Sequence, residues 1–142
     1  MTYADLIARL RQHAEEAGAA SFWSGVKTAS GLNYDQPFPM AELFILPSAL
    51  TGETAVQYSI GMGFYAADAH ESSEQEVIAA QSAMDELTQK FIRLVRYDED
   101  WELVDRGANG GLVARTPTVR TGTKVGTGLF IDFALSVPAL PC

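Results

Sequence analysis

Between Val56 and Phe64 every second residue is apolar: Val56, Tyr58, Ile60, Met62 and Phe64 alternate with Gln57, Ser59, Gly61 and Gly63. A period of two marks a strand with one buried face. Taken over Ala55 to Tyr65, the run predicts a strand roughly 33 Å long at ~3.3 Å per residue. Gly61 and Gly63 fall on its other face and mark a close approach, expected from another stretch of backbone. A polar loop follows, and then the period changes. Val77, Ala80, Met84, Leu87, Phe91 and Leu94 recur every three or four residues, the stripe of an amphipathic helix. Ser73 and Glu76 form a capping-box pair at its start, and Lys90, Arg93 and Arg96 sit at its end, where the dipole favours cations. This strand–helix unit, Ala55 to Arg96, constrains everything else. The helix stripe needs an apolar partner, and the even face of the strand supplies one.

The flanks extend the pattern. Thr2 with Asp5 can cap a first helix over Thr2–Ala17; Leu6, Ile7, Leu10, Ala14 and Ala17 line one side, and Gly18 stands at its C-terminal end. Ser21–Thr28 reads as a strand with Phe22 and Val26 on one side and Trp23 on the other. Gly31–Pro39 is turn-rich. Met40–Leu46 reads as a strand stopped by Pro47, joined through Thr51-Gly52 to the long strand as an antiparallel hairpin. Trp101, Leu103 and Val104 begin a short strand. Val125, Leu129, Ile131, Phe133, Leu135 and Val137 form a second long strand closed by Pro138. Together these predict a single α+β domain over residues 1–142: an antiparallel sheet with two helices packed on one face. Trp23, Tyr65 and Phe130 then share the opposite face, and several aromatics on such a face suggest contact with another chain.

Arg106–Gly128 differs in composition. It is rich in Gly and Thr, contains Arg106, Arg115, Arg120 and Lys124, and holds none of the chain's 18 acidic residues. Leu112–Val119 can pair as a strand, and the remainder reads as an extended loop or arm. A basic arm on an acidic body is complementary head to tail, and such heterologous contacts close into rings or run on as filaments. The bland alternative is a solvated surface loop.

The net charge of −8 argues against nucleic acid as the main partner. No run of eighteen apolar residues is present, so no membrane span is expected. Met1–Gly18, with its early carboxylates, does not read as a secretory leader. The single cysteine, Cys142, can form no disulfide within these residues. Catalytic signatures are missing too. The glycines of Arg106–Gly128 do not form a phosphate-binding G-x-x-x-x-G-K-[ST] or a G-x-G-x-x-G opening a helix. Asp98, Glu99 and Asp100 lack the spacing of a calcium loop, and Asp68, His70 and Glu71 read as the polar approach to a helix cap. His13 has no H-E-x-x-H partner. No enzymatic activity, cofactor or metal is expected.

The order of elements resembles small bacteriophage tail proteins of the tail-terminator, tail-completion and head–tail connector type. The residues that carry this are VQYSIGMGFYAADAHESSEQEVIAAQSAMDELTQKFIRLV (Val56–Val95), the Gly/Thr-rich region and the closing TGLFIDFALSVPALPC. The resemblance implies a structural virion subunit of the tail or neck, made in the host cytoplasm. It also implies assembly with copies of itself into a ring, hexameric in such families, beside neighbouring tail or connector proteins, with the long loop reaching an adjacent subunit. Arg106, Arg115, Arg120, Lys124, Trp23, Tyr65 and Phe130 are the interface residues expected on this reading. The alternative is a small-molecule-binding or enzymatic α+β domain with a pocket between sheet and helices.

Overall fold

The computed structural model describes residues 1–24, 37–52, 54–68, 73–107, 111–120 and 125–140. Among these residues two helices and six strands follow in the order α1 (Tyr3–Ala17), β1 (Ser21–Ser24), β2 (Met40–Thr51), β3 (Ala55–Asp68), α2 (Glu74–Arg96), β4 (Glu102–Leu103), β5 (Val113–Arg120) and β6 (Val125–Pro138). The class is α+β, with all six strands in one sheet.

Both helix starts use the expected caps. Thr2 and Asp5 make a reciprocal capping box. At α2 the Glu76 N–H donates to Ser73 Oγ, while the Ser73 hydroxyl donates to the Glu76 carboxylate rather than leaving it to reach back to the backbone. α1 ends at Gly18, whose φ of 125° would strain an L residue with a side chain.

β3 is the spine of the sheet. It pairs antiparallel with β2 on one edge and along its whole length with β6 on the other. The far edge of β6 is shared end to end by β5, against Gly126–Phe133, and β4, against Leu135–Ser136. β1 lies outside β2 and runs parallel to it, which departs from the all-antiparallel expectation. A second correction concerns Pro47. It does not stop the strand, because β2 continues to Thr51 through a register shift between Ile45 and Ser48. Proline cannot donate to a ladder, and an irregularity of this kind is where a strand can hold one.

The third correction is the arm. Leu112–Val119 was expected to pair as a strand, and β5 zips onto β6 from Val113 to Arg120. Just before β5, the Arg106 N–H donates to the Gly111 carbonyl at 2.9 Å. Most of the described part of Arg106–Gly128 is therefore paired in the sheet and not a free loop. Ser21–Thr28 and Gly31–Pro39 fall partly outside the described residues.

The core lies between the sheet and both helices, which occupy one face as expected. Leu6, Leu10 and Ala14 of α1 and Met84, Leu87, Phe91 and Val95 of α2 meet Leu43, Ile60, Met62, Phe64, Ile131, Phe133 and Leu135 of the strands. Phe91 is the central contact. Its ring lies 5.0 Å from that of Phe64 on β3 and 6.3 Å from that of Phe133 on β6.

Candidate functional site

The second face of the sheet is assembled row by row from the register. Ser21 opposes Met40, Met40 opposes Tyr65, and Tyr65 opposes Gly128. The next row runs Trp23, Glu42, Gly63, Phe130 and Thr116 across five strands. The third is Phe44, Gly61, Asp132 and Ala114. Residues directly opposite share a face. Trp23, Tyr65 and Phe130 are thus brought to one side, and Phe44, which the sequence reading did not single out, completes the group. Phe44 lies 6.2 Å from Trp23 and 6.5 Å from Phe130, centroid to centroid.

The two central glycines make this layer possible. A Cβ on Gly61 would meet the tip of the Phe130 ring at 2.5 Å, and one on Gly63 would overlap the Tyr65 phenol. Both rings therefore reach over β3. The close approach expected at these glycines exists, but it is made by aromatic side chains and not by another backbone. Tyr65 is only 2% exposed and packs with buried Met40, flanked by Trp23 and Phe38, so it offers no surface of its own. Trp23, Phe44 and Phe130 remain partly exposed. The carboxylate of Glu42 is buried beneath this layer, at 1% exposure. Its signal in sequence was the strand Met40–Ile45, apolar on both faces apart from that one acid.

Arg106 and Arg115, the two cations of Arg106–Gly128 whose side chains are described, do not share a surface. Arg106 donates to the Asp132 carboxylate at 3.0 Å and to the Asp132 carbonyl at 2.5 Å. Arg115 is on the helix face, where it forms an ion pair with Asp85 of α2. Two of the four are therefore neutralised within the chain, on opposite faces of the sheet. Arg120 ends β5 opposite Gly126, and Lys124 lies outside the described residues.

A buried polar cluster joins α1 to the turn after α2. The Asp98 side chain, 3% exposed, accepts from Arg9 Nη1 at 2.9 Å and lies 2.7 Å from His13 Nε2. Arg9 also reaches Asp100 at 2.8 Å. Burial pushes the Asp98 carboxyl up, but the Asp100 N–H, His13 and Arg9 together hold it below the ordinary carboxylate range. His13 packs edge-on against Trp101, at 5.8 Å. The sequence reading passed over this cluster because its members are 85 or more residues apart. A static brace is its evident role.

Clefts among the described residues open to solvent in several places. One near the start of α1 is lined by Asp5, Arg9, Gln12 and Asp100. A second lies between the C-terminal end of α2 and Arg115. A third, more apolar, joins Tyr3, Leu50, Val56, Tyr58 and Leu140. Between helix and sheet, the space among Phe91, Val95, Leu103 and Phe133 has no room for a water molecule. Among the described residues no three His, Cys, Asp or Glu side chains converge as metal ligands. No described helix is long and apolar enough to cross a membrane. No protein-family model matches the chain, and no curated protein matches it.

Proposed function

We propose that this chain is a structural subunit of a phage tail or neck, of the tail-terminator kind it resembles, which assembles with copies of itself into a ring and meets neighbouring tail proteins there. Its role on this reading is mechanical and not catalytic. The observation that carries it is the aromatic layer on the sheet face away from the helices. Trp23, Phe44 and Phe130 form a continuous, partly exposed apolar patch, seated on Gly61 and Gly63 and backed by buried Tyr65. A contiguous aromatic patch of this kind is the composition that interface centres favour. Supporting it, β5 presents its outer edge from Val113 to Arg120 with no strand on it among the described residues. Such an edge invites pairing with another chain.

Gel filtration with light scattering, followed by negative-stain microscopy, tests the proposal. The expected result is a discrete oligomer seen as rings, and rings that join purified tail tubes. A strict monomer at high concentration that ignores tail tubes overturns it.

A further inference from the structure

α2 carries opposite charge and one exposed apolar side chain at each end. At its start stand Glu74 and Glu76, both exposed, with Ile78 57% exposed one turn on. At its finish, Arg93 and Arg96 stand beside Tyr97, which is 74% exposed. The finish is also a concave site. Arg93, Arg96 and Tyr97 together with Gln89, Ile92 and Arg115 line a cleft of about 400 Å³ between the helix and β5. Asp85 holds one side of Arg115. Arg93 and Arg96 form no ion pair among the described residues, in a chain whose net charge is −8. Two guanidiniums without an ion pair, beside a third already held by Asp85, give the open cleft a positive rim that selects carboxylates, which guanidiniums bind through paired N–H donors.

We propose that this cleft receives the first turn of α2 from a second copy of the chain, Glu74 and Glu76 meeting Arg93 and Arg96, with Ile78 set against Tyr97. The inference rests on the ring-forming reading above and names the contact that would propagate it. The two ends of α2 are roughly 30 Å apart, at ~1.5 Å per residue. When each copy uses its two ends on two different neighbours the contact is heterologous, and repeats of it close into a ring or run on as a filament. An antiparallel two-fold pair would make the same contact twice and stop at a dimer, which the mass from light scattering distinguishes from a ring. The two surfaces belong to one rigid helix, so the geometry of each step is set without an intervening loop.

Charge reversal tests it by mixing. The variants Arg93→Glu/Arg96→Glu and Glu74→Arg/Glu76→Arg are each expected to need at least about tenfold more protein to assemble than the unmodified chain. An equimolar mixture of the two is expected to assemble again, because each acidic cleft then meets a basic first turn and each basic cleft an acidic one. Far-UV circular dichroism checks that each folds. Reversal opposes the helix dipole at both ends, so Arg93→Gln/Arg96→Gln and Glu74→Gln/Glu76→Gln serve as the milder pair, each expected to weaken assembly.

If the unmodified chain is monomeric, the ring-forming reading fails and this contact with it. If it assembles but both reversals assemble equally well, or the mixture is not rescued, the contact is overturned and the ring reading stands. Thermal stabilisation by inorganic phosphate that depends on Arg93 and Arg96, in a chain whose assembly ignores Glu74 and Glu76, overturns it in favour of a small-anion site.

Discussion

Asp98 ties the turn after α2 to α1 through Arg9 and His13, and its carboxylate is almost wholly buried. Its hydrogen bonds outweigh burial and keep the carboxyl below its ordinary value. A carboxyl depressed in the folded state stabilises that state above the unfolded pKa, about 3.9, and the contribution disappears as pH falls through the lower folded value. Asp98→Asn is therefore expected to cost about 2–3 kcal/mol at neutral pH. The gap to the unmodified chain should narrow steadily below about pH 4, as Asp98 takes up its proton and the unmodified chain loses that contribution. Urea unfolding of the two proteins across that range measures it; a gap independent of pH would show that the charge is immaterial. The glycines make a second residue-scale case. A Cβ at Gly61 meets the tip of the Phe130 ring, which lies on the partly open face and can tilt away. A Cβ at Gly128 overlaps the carbonyl oxygen of Phe64, part of the β3–β6 ladder. Gly61→Ala is expected to cost about 1–2 kcal/mol, in the range of overpacking, and Gly128→Ala distinctly more because backbone must part. Equal midpoints in urea would contradict that ranking.

At the scale of elements, local pattern carried most of the fold. β3 and α2 were legible because alternation, capping and terminal charge agree over forty residues, and the even face of β3 does meet the helix stripe. The stripe drifts at its end: Val95, not Leu94, is the fully buried residue, since 3.6 residues per turn accumulate an offset along six turns. β1 was read as a strand, but its parallel pairing to β2 was not, because a four-residue strand carries no signal of direction. The continuation of β2 past Pro47 was likewise hidden. A proline reads as a stop unless the register can shift around it. In the basic segment the limit of local pattern is different. Composition showed that its cations lack local carboxylates, but Asp132 and Asp85, which satisfy Arg106 and Arg115, come from strand β6 and helix α2. Charge bookkeeping along a chain cannot anticipate partners supplied across a sheet. The same limit explains why the Arg93–Arg96–Arg115 cleft went unseen: its third member joins through pairing of β5 to β6.

The whole molecule offers two surfaces of different physics, an aromatic sheet face and a helix with opposed charge at its ends. Association through either stabilises the folded state by mass action, so the melting temperature should rise with protein concentration. Salt separates the two. Exposed charges are screened over about 8 Å at physiological ionic strength and over about 3 Å at 1 M, whereas apolar burial is not weakened by screening. If the charged ends of α2 carry the subunit contact, the concentration dependence should shrink as salt rises. If the patch of Trp23, Phe44 and Phe130 carries it, the dependence should persist in salt and fall in Trp23→Ala, whose ring is only partly buried in the free chain and serves less as core than as surface. A ring that uses both should show a partial response to each perturbation, because the two surfaces lie on opposite sides of the sheet and contribute independently. Differential scanning calorimetry over a wide concentration range at low and high salt reads all three patterns. A melting temperature flat in concentration at both salts would mean that the folded chains do not associate, and self-assembly as the basis of function would fall.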